Sequence, residues 1–433
     1  MNRDEHPEDG QEQSEVEQAI LVGIEDLHGR SRRSMRELID LTKTAGAQVI
    51  DLITQSRDSP DVRTYIGRGK VDELAGQVTA TDADLVVFNG ELTPVQNRNL
   101  VDALECKVLD RTELILDIFA QHARTREGKL QVELAQARYT LPRLAGRGVM
   151  MDRIGGGAAG AGIGVRGPGE TKIDVERRVL RRKIQRLEDE IEQVRTRREV
   201  ERRSRNQSGL PTAALVGYTN SGKSTLLNAL AGSEEVAVRD RLFETLDPTI
   251  RRISLDEGRE ALVADTVGFI QDLPTQLVAA FRATLEEVTE ADLLLHLVDA
   301  AWPAAYEQYE AASSVIAELG AAEIPTIVVL NKMDAVASER KVEIIESRIS
   351  NTIRISALEG DGLDELRRRM SDLLFAHLID VTLHVPYDRM SLMELLNERG
   401  HVSESKYEAE HVVVRAEVDE ATLARVRDLV VSD

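Results

Sequence analysis

Aromatic side chains make up only 3% of the 433 residues, cysteine occurs once, and no apolar run reaches the length of a membrane span. Each scarcity removes a class of protein. A single thiol, Cys106, cannot close an internal disulfide and suits a reducing compartment, where it fills a small core position. A membrane helix needs about 20 successive apolar residues, and the N-terminus lacks the basic-then-apolar signal of an exported chain. Both absences point to a soluble, cytoplasmic protein. So few aromatics argue against a platform that stacks single-stranded bases. Positive charge is also in deficit: 55 Lys and Arg face 76 Asp and Glu, a net charge of −21. On average such a chain repels nucleic acid, so any RNA contact has to come from a segregated basic patch. His384, His401 and His411 have no cysteine or carboxylate at metal-site spacing and read as ordinary residues.

The length is enough for two or three domains with their own cores, and the pattern along the chain divides it. Residues 1–17 carry charge and few apolar side chains, the composition of a disordered acidic tail. Over residues 18–111, Ile20 to Ile24, Val49 to Ile53 and Leu85 to Phe88 read as strands. Between and after them, Ser34 to Thr44, Lys70 to Thr79 and Pro94 to Leu104 read as helices. This alternation implies a small N-terminal α/β domain with a largely parallel sheet. Gly67-Arg68-Gly69-Lys70 lacks the rest of a phosphate-loop motif and reads as a glycine turn feeding a helix, with ATP binding at this domain the open alternative.

Residues 112–208 change character. Leu130, Leu134, Ala137, Leu141 and Leu144 share one helical face, as do Leu180, Ile184, Leu187, Ile191 and Val194. Two such seams predict an antiparallel coiled-coil hairpin. Its turn, 146–169, is too rich in glycine to bury a core, and reads as a mobile tip or one ordered by a partner. Between Ala135 and Gly169 the only carboxylate is Asp152, against Arg138, Arg143, Arg147, Arg153 and Arg166. The second helix adds Arg177, Arg178, Arg181, Arg182 and Lys183. Cations gathered on an exposed loop suit phosphate contact, and a solvated linker is the bland alternative.

Residues 209–378 hold the chemistry. Gly217-Tyr218-Thr219-Asn220-Ser221-Gly222-Lys223-Ser224 lies between the apolar run Ala213 to Val216 and a helical run that begins at Thr225. Such a loop turns its N–H groups around a triphosphate, with Lys223 reaching the β/γ-phosphates and the Ser224 hydroxyl ligating Mg²⁺. A second apolar strand ends in Asp265-Thr266-Val267-Gly268, where the carboxylate can hold Mg²⁺ and the Gly268 amide can meet the γ-phosphate. A third runs into Asn331-Lys332-Met333-Asp334, and a fourth into Ser356-Ala357-Leu358. The Asp334 carboxylate can accept two hydrogen bonds from guanine, and a backbone N–H of the Ser356 to Leu358 loop can meet O6. A site built this way rejects the wrong base by about 10⁴-fold or more, so the nucleotide is read as GTP/GDP. Trp302, Tyr306 and Tyr309 on the helix after Asp299 read as packing. Residues 379–433 read as a small C-terminal α+β domain, with strands at Val381 to Val385 and His411 to Val418 and helices at Met390 to Glu398 and Glu420 to Leu429.

With these motifs in order, the chain resembles the translation-factor class of P-loop GTPases, and within it the HflX family. The resemblance is carried by Tyr65-Ile66-Gly67-Arg68-Gly69-Lys70, Gly167-Pro168-Gly169-Glu170-Thr171-Lys172, Leu246-Asp247-Pro248-Thr249 and Asp265-Thr266-Val267-Gly268-Phe269. It implies a multidomain α/β GTPase in which Thr249 is the switch threonine closing over Mg²⁺ and the γ-phosphate. It also implies a factor that binds the large ribosomal subunit and its RNA, through Arg143, Arg147, Arg153, Arg166 and the glycine-rich tip, and dissociates or rescues stalled ribosomes. A ribosome-assembly GTPase and a protein-regulated switch without RNA contact remain the alternatives, and a monomer is expected. Where many GTPases place a water-orienting glutamine after D-x-x-G, this chain has Phe269, so intrinsic turnover is expected at about 10⁻³ s⁻¹ or below. Asn220 has two readings: it coordinates K⁺ between the phosphates, as in related GTPases, or it is a loop residue that tolerates unusual backbone angles.

Overall fold

The computed structural model describes residues 16–25, 30–154, 172–206, 210–232, 243, 249–270, 282–376, 378–418 and 420–430. The acidic tail, most of the glycine-rich tip and the segment 244–248 lie outside the described residues. The chain divides into two compact units, residues 1–118 with 139–180, and residues 119–138 with 181–433.

The first unit is built on four parallel strands, β1 (Gln18–Glu25), β2 (Gln48–Ser56), β3 (Leu85–Phe88) and β4 (Lys107–Asp110), in the order β2-β1-β3-β4. They alternate with α1 (Arg30–Thr44), α2 (Arg68–Thr81) and α3 (Pro94–Leu104). β3 reads Leu-Val-Val-Phe and is buried throughout, as a central parallel strand covered on both faces must be. Ile20, Val22, Leu74, Phe88 and Leu100 form its core, with Cys106 half-buried against it. Thr93 caps α3 reciprocally with Gln96, and Pro94 occupies the first helical position, where its missing N–H costs nothing. Gly67 takes the N-cap of α2 and donates its N–H to Gln55 Oε1 at 2.8 Å.

β4 was not anticipated, having only Val108 and Leu109 as apolar residues, and its last residue organises the next two helices. Asp110 is fully buried. Its Oδ1 accepts from the Glu113 N–H at 2.9 Å, capping α4 (Arg111–His122). Its Oδ2 accepts from the Leu92 N–H (2.9 Å), the Tyr139 hydroxyl (2.6 Å) and Arg143 Nη2 (3.0 Å). The Arg143 guanidinium also lies 3.3 Å from the Tyr139 ring centroid and donates to the Leu92 carbonyl. This corrects the assignment of Arg143 as an RNA contact: its charge is engaged by a buried carboxylate, and releasing it would leave that carboxylate unpaired. The side chains of Arg147 and Arg153, and all of Arg166, fall outside the described residues.

The hairpin consists of α5 (Arg126–Ile154) and α6 (Lys172–Asn206), so its first helix begins after α4, not at residue 112. Leu130, Leu134 and Leu187 form its seam with Ile184, Ile191 and Val194. In the second unit a six-stranded sheet comes next, of β5 (Thr212–Gly217), β6 (Thr249–Ser254), β7 (Glu260–Asp265), β8 (Leu293–Asp299), β9 (Thr326–Asn331) and β10 (Thr352–Arg354). Their order is β10-β9-β8-β5-β7-β6, with only β6 antiparallel. The helices are α7 (Lys223–Ala231), α8 (Arg282–Thr289), α9 (Ala305–Glu318), α10 (Glu339–Glu346) and α11 (Leu363–Leu374). Tyr306 and Tyr309 of α9 pack on the apolar cluster of Val298, Val328 and Leu330, as expected, while Trp302 lies in the turn before that helix.

The C-terminal part adds β11 (Ile379–Pro386), α12 (Ser391–Arg399), β12 (Gly400–Tyr407), β13 (His411–Val418) and α13 (Glu420–Val426), with an antiparallel sheet in the order β11-β13-β12. Its apolar residues alternate along β11 and β13, as a sheet with one covered face requires. β12, polar and largely exposed, escaped the sequence pattern. Arg259, in the turn between β6 and β7, fastens this sheet by pairing with Glu417 of β13 and donating to Ser371 Oγ of α11 at 3.0 Å. Among the described residues no helix is long and apolar enough to cross a membrane.

Burial and the neighbouring Asp110 raise the Glu113 carboxyl from 4.5 to about 7. The folded chain therefore holds a proton that the unfolded chain releases between these values, and stability falls as pH rises through that window. Glu113→Gln, which keeps an acceptor for the Asp110 N–H without the charge, is expected to gain about 1–2 kcal/mol on wild type between about pH 5 and about pH 8 in urea unfolding. An unchanged difference across that range would contradict this assignment.

Candidate nucleotide site

β5 ends at Gly217, whose φ of 144° only glycine adopts readily, and a Cβ there would overlap the Leu297 carbonyl oxygen. The loop from Tyr218 to Gly222 then closes onto α7, with Asn220 at φ 59° and Gly222 at φ 92°. The positive φ by itself accounts for an asparagine at 220, a residue type that tolerates it. A Cβ on Gly222 would collide with the Asn331 amide.

The Lys223 ammonium is folded back over the loop, donating to the Tyr218 carbonyl at 3.0 Å and the Gly217 carbonyl at 3.3 Å. Burial lowers its pKa to about 8, with Asp265 opposing the shift. The hydroxyls of Thr219 and Ser221 are buried without a hydrogen-bond partner among the described residues. Orphaned hydroxyls, a desolvated cation and glycines packed too closely for any Cβ form a cradle suited to an anion.

Ser224 Oγ donates to Asp265 Oδ2 at 2.7 Å, which brings together two of the three predicted metal ligands. The third, Thr249, opens β6 directly opposite Asp265 in the antiparallel register. Thr225 is in the first turn of α7, and Thr266 donates its hydroxyl to the Leu215 carbonyl at 2.6 Å. Gly268 approaches so closely that a Cβ would stand 2.7 Å from Thr219 Cα and 3.0 Å from Lys223 Nζ. Phe269 is pinned by two backbone bonds to the phosphate loop, Phe269 N–H to the Gly217 carbonyl (3.0 Å) and Thr219 N–H to the Phe269 carbonyl (2.8 Å). Its ring is buried, and a phenyl ring offers no hydrogen bond with which to orient water.

The base-reading residues meet from two further strands. Asn331, at the end of β9, donates from Nδ2 to the Ser221 carbonyl (2.8 Å) and accepts the Ala357 N–H on Oδ1 (3.0 Å). Ser356 Oγ donates to Asp334 Oδ1 at 2.6 Å, fixing the orientation of that carboxylate. Leu358 extends into solvent. Lys332, in a left-handed conformation, pairs with Asp299 Oδ2 at 2.9 Å and lies 3.5 Å from Asn220 Oδ1.

Two residues here were not predicted. Asp299 ends the apolar strand β8 just as Asp265 ends β7, a signal that could have found it. His296, buried in β8 and stacked 4.9 Å from Tyr309, is held neutral, with a pKa near 4, by burial and by the charge of Lys223. No local pattern marks it.

Comparisons with known proteins cover most of the chain. Family models match residues 32–120 (GTP-binding GTPase N-terminal), 122–205 (GTP-binding GTPase middle region), 212–332 (50S ribosome-binding GTPase) and 341–425 (HflX C-terminal domain). A GTP-binding protein from Sulfolobus solfataricus, solved with GDP, aligns at 26% identity over 83% of this chain and 99% of its own, with a TM-score of 0.46. GTPase HflX of Caldanaerobacter subterraneus subsp. tengcongensis is 45% identical over 416 residues, covering 96% of this chain and 94% of that protein. GTPase HflX of Escherichia coli K12 is 44% identical over 371 residues, or 86% of each. The chain therefore belongs to the HflX family of GTPases, hydrolases that act on GTP.

Proposed function

We propose that this chain is a GTP-driven factor that docks on the large ribosomal subunit and promotes dissociation or rescue of stalled ribosomes. The observation that carries the reading is the match of residues 212–332 to a family described as 50S ribosome-binding GTPases. Two features support it. Among the described residues of the exposed α6 surface, Arg177, Arg181 and Arg182 have no ion pair, and cations left free in so acidic a chain suit phosphate contact. The residue after D-x-x-G is a buried phenylalanine, so that position supplies no group to orient water, and a partner surface that completes the site would time hydrolysis.

In this reading Gly217 to Thr225 cradle the phosphates, Lys223 neutralises developing charge on the β/γ-oxygens, and the Gly268 amide faces the γ-phosphate. Ser224, Thr249 and Asp265 would hold Mg²⁺, which would supply a countercharge for the phosphates. Asp334, oriented by Ser356, and the Ser356-Ala357-Leu358 backbone read the guanine edge. Asn331 supports them from behind, and Lys332 with Asp299 holds the side wall. Thr266 fixes the backbone between Asp265 and Gly268.

Large ribosomal subunits are expected to raise GTP turnover at least about tenfold, with stimulation falling steeply as salt rises, and Lys223→Ala to remain inactive with or without them. No stimulation would leave a GTPase switched by a protein partner, and stimulation by immature particles alone would favour an assembly factor. Asp334→Asn replaces an acceptor with a donor. It is expected to weaken GTP by about 10²-fold or more and to improve binding of xanthosine triphosphate, whose edge offers a carbonyl where guanine has an amine. Competition binding measures both, and unchanged GTP affinity would remove Asp334 from base recognition.

A further inference from the structure

Strand β6 is rooted at one end. Ile253 and the adjoining Leu255 are buried in the apolar core with Leu226 and Leu230 of α7, whereas Thr249, Ile250 and Arg251 are half-buried. Within the sheet β6 is hydrogen-bonded to β7 alone, in unbroken antiparallel register from Ser254 opposite Glu260 to Thr249 opposite Asp265. β7 is paired on its other side with β5, which fixes Asp265 from a second direction. From Ile253 to Thr249 the strand spans four steps, about 13 Å, and its direction is set at the root.

The C-terminal sheet takes hold at that root. The Leu255 N–H donates to the Arg259 carbonyl at 2.8 Å, closing the β6–β7 turn. From this turn the Arg259 guanidinium grips Glu417 of β13 with two prongs, Nε to Oε2 at 3.0 Å and Nη2 to Oε1. Its Nη1 donates to Ser371 Oγ of α11 at 3.0 Å, and its centre lies 5.2 Å from the Phe375 ring centroid. The Arg259 and Glu417 side chains are only 13% and 16% exposed. Arg368 of α11 approaches Asp256, on the same turn, at 3.9 Å. Glu417 stands on the central strand of its sheet, between Asp380 of β11 and His401 of β12. All of these residues belong to the second compact unit. A two-pronged arginine–carboxylate pair fixes rotation as well as distance. A plain tie between domains accounts for the attraction, but it does not call for a fork planted on the one turn whose twist β6 inherits.

We propose that Arg259 is a positioning residue for GTP hydrolysis: by locking the β6–β7 turn onto Glu417, the C-terminal sheet sets the twist of β6 and so where Thr249 stands against Asp265. The inference rests on the reading of Thr249 as the residue that closes over the γ-phosphate. Arg259 itself lies at the far end of the hairpin from the nucleotide. The phosphate loop and Asp265 sit on strands that the turn does not steer, so binding is spared and the chemical step responds. Linkage runs both ways: a nucleotide that moves Thr249 is felt at β13, and a load on the C-terminal sheet is felt in turnover.

The test uses the full chain and GTP alone, well below the unfolding temperature, so its failure is distinct from any failure to bind ribosomes. Arg259→Lys keeps the charge without the fork, and Glu417→Gln makes the change on the C-terminal sheet. Each is expected to lower kcat about three- to tenfold while KM and GDP affinity change less than about twofold. Thr249→Ala, run beside them, separates the two readings: an unchanged kcat there would remove Thr249 from the chemistry and this proposal with it. A readout independent of turnover is hydrogen exchange. Amides of residues 411–418 in the wild type should differ in protection between the GDP complex and a complex with a non-hydrolysable GTP analogue, and Arg259→Lys should erase the difference. With Thr249→Ala impaired, an unchanged kcat in either Arg259→Lys or Glu417→Gln, a loss confined to KM, or identical protection of 411–418 in the two wild-type complexes would overturn the role of Arg259 and leave that of Thr249 standing.

Discussion

One side-chain amide, that of Asn331, ties together the loops of three different strands. Its Nδ2 holds the phosphate loop through the Ser221 carbonyl and its Oδ1 holds the base-reading loop through the Ala357 N–H. Gly222 is glycine because this amide stands where a Cβ would project. Since every donor and acceptor involved is buried, losing one bond leaves its partner desolvated and unpaired, which costs about 1–3 kcal/mol. The distance between phosphate loop and base loop is thereby fixed before any nucleotide arrives, and such preorganisation is what lets binding energy go to discrimination instead of to loop ordering.

That rigidity contrasts with the other side of the site. β6 is an edge strand and the only antiparallel one, hydrogen-bonded within the sheet to β7 alone. Its nucleotide end carries Thr249, while at its far end Arg259 is clamped to Glu417 and Ser371. The β6–β7 pair is thus anchored at the turn by Arg259, while at the end that faces the phosphates Thr249 is held across the sheet by its pairing with Asp265 alone. A nucleotide switch needs a side that can differ between two bound states, and a strand with one sheet neighbour has fewer hydrogen bonds to rearrange than a central one.

Most of this was legible in the sequence because its determinants are local. Four apolar runs, each ending in a residue with a phosphate or base chemistry, placed β5, β7, β9 and β10, and the 3–4 spacing of leucines placed α5 and α6. The pieces that escaped depend on partners far along the chain. Arg143 looked like one more tip cation, since it sits among arginines in a stretch whose one carboxylate is Asp152; its partner Asp110 lies 33 positions earlier and reaches it only once β4 and α5 have formed. β4 itself has two apolar residues in four, below what a pattern can register, and is specified by pairing with β3 over its whole length. His296 is an ordinary core residue by composition, and only its buried neighbours give it meaning.

The same long-range logic governs the charge. A net −21 suggests a chain dominated by self-repulsion, yet the carboxylates at its structural joints are matched by cations: Asp110 with Arg143, Glu37 with Arg111, Glu417 with Arg259, Asp299 with Lys332. In each pair the two members lie on segments far apart in the chain, so the pair reports that two segments have docked correctly. Buried pairs of this kind add little net stability because desolvation offsets attraction, but a mispaired alternative leaves a charge stranded and is strongly disfavoured. Hydrophobic burial can drive these segments together, and the ion pairs select which of the compact arrangements survives.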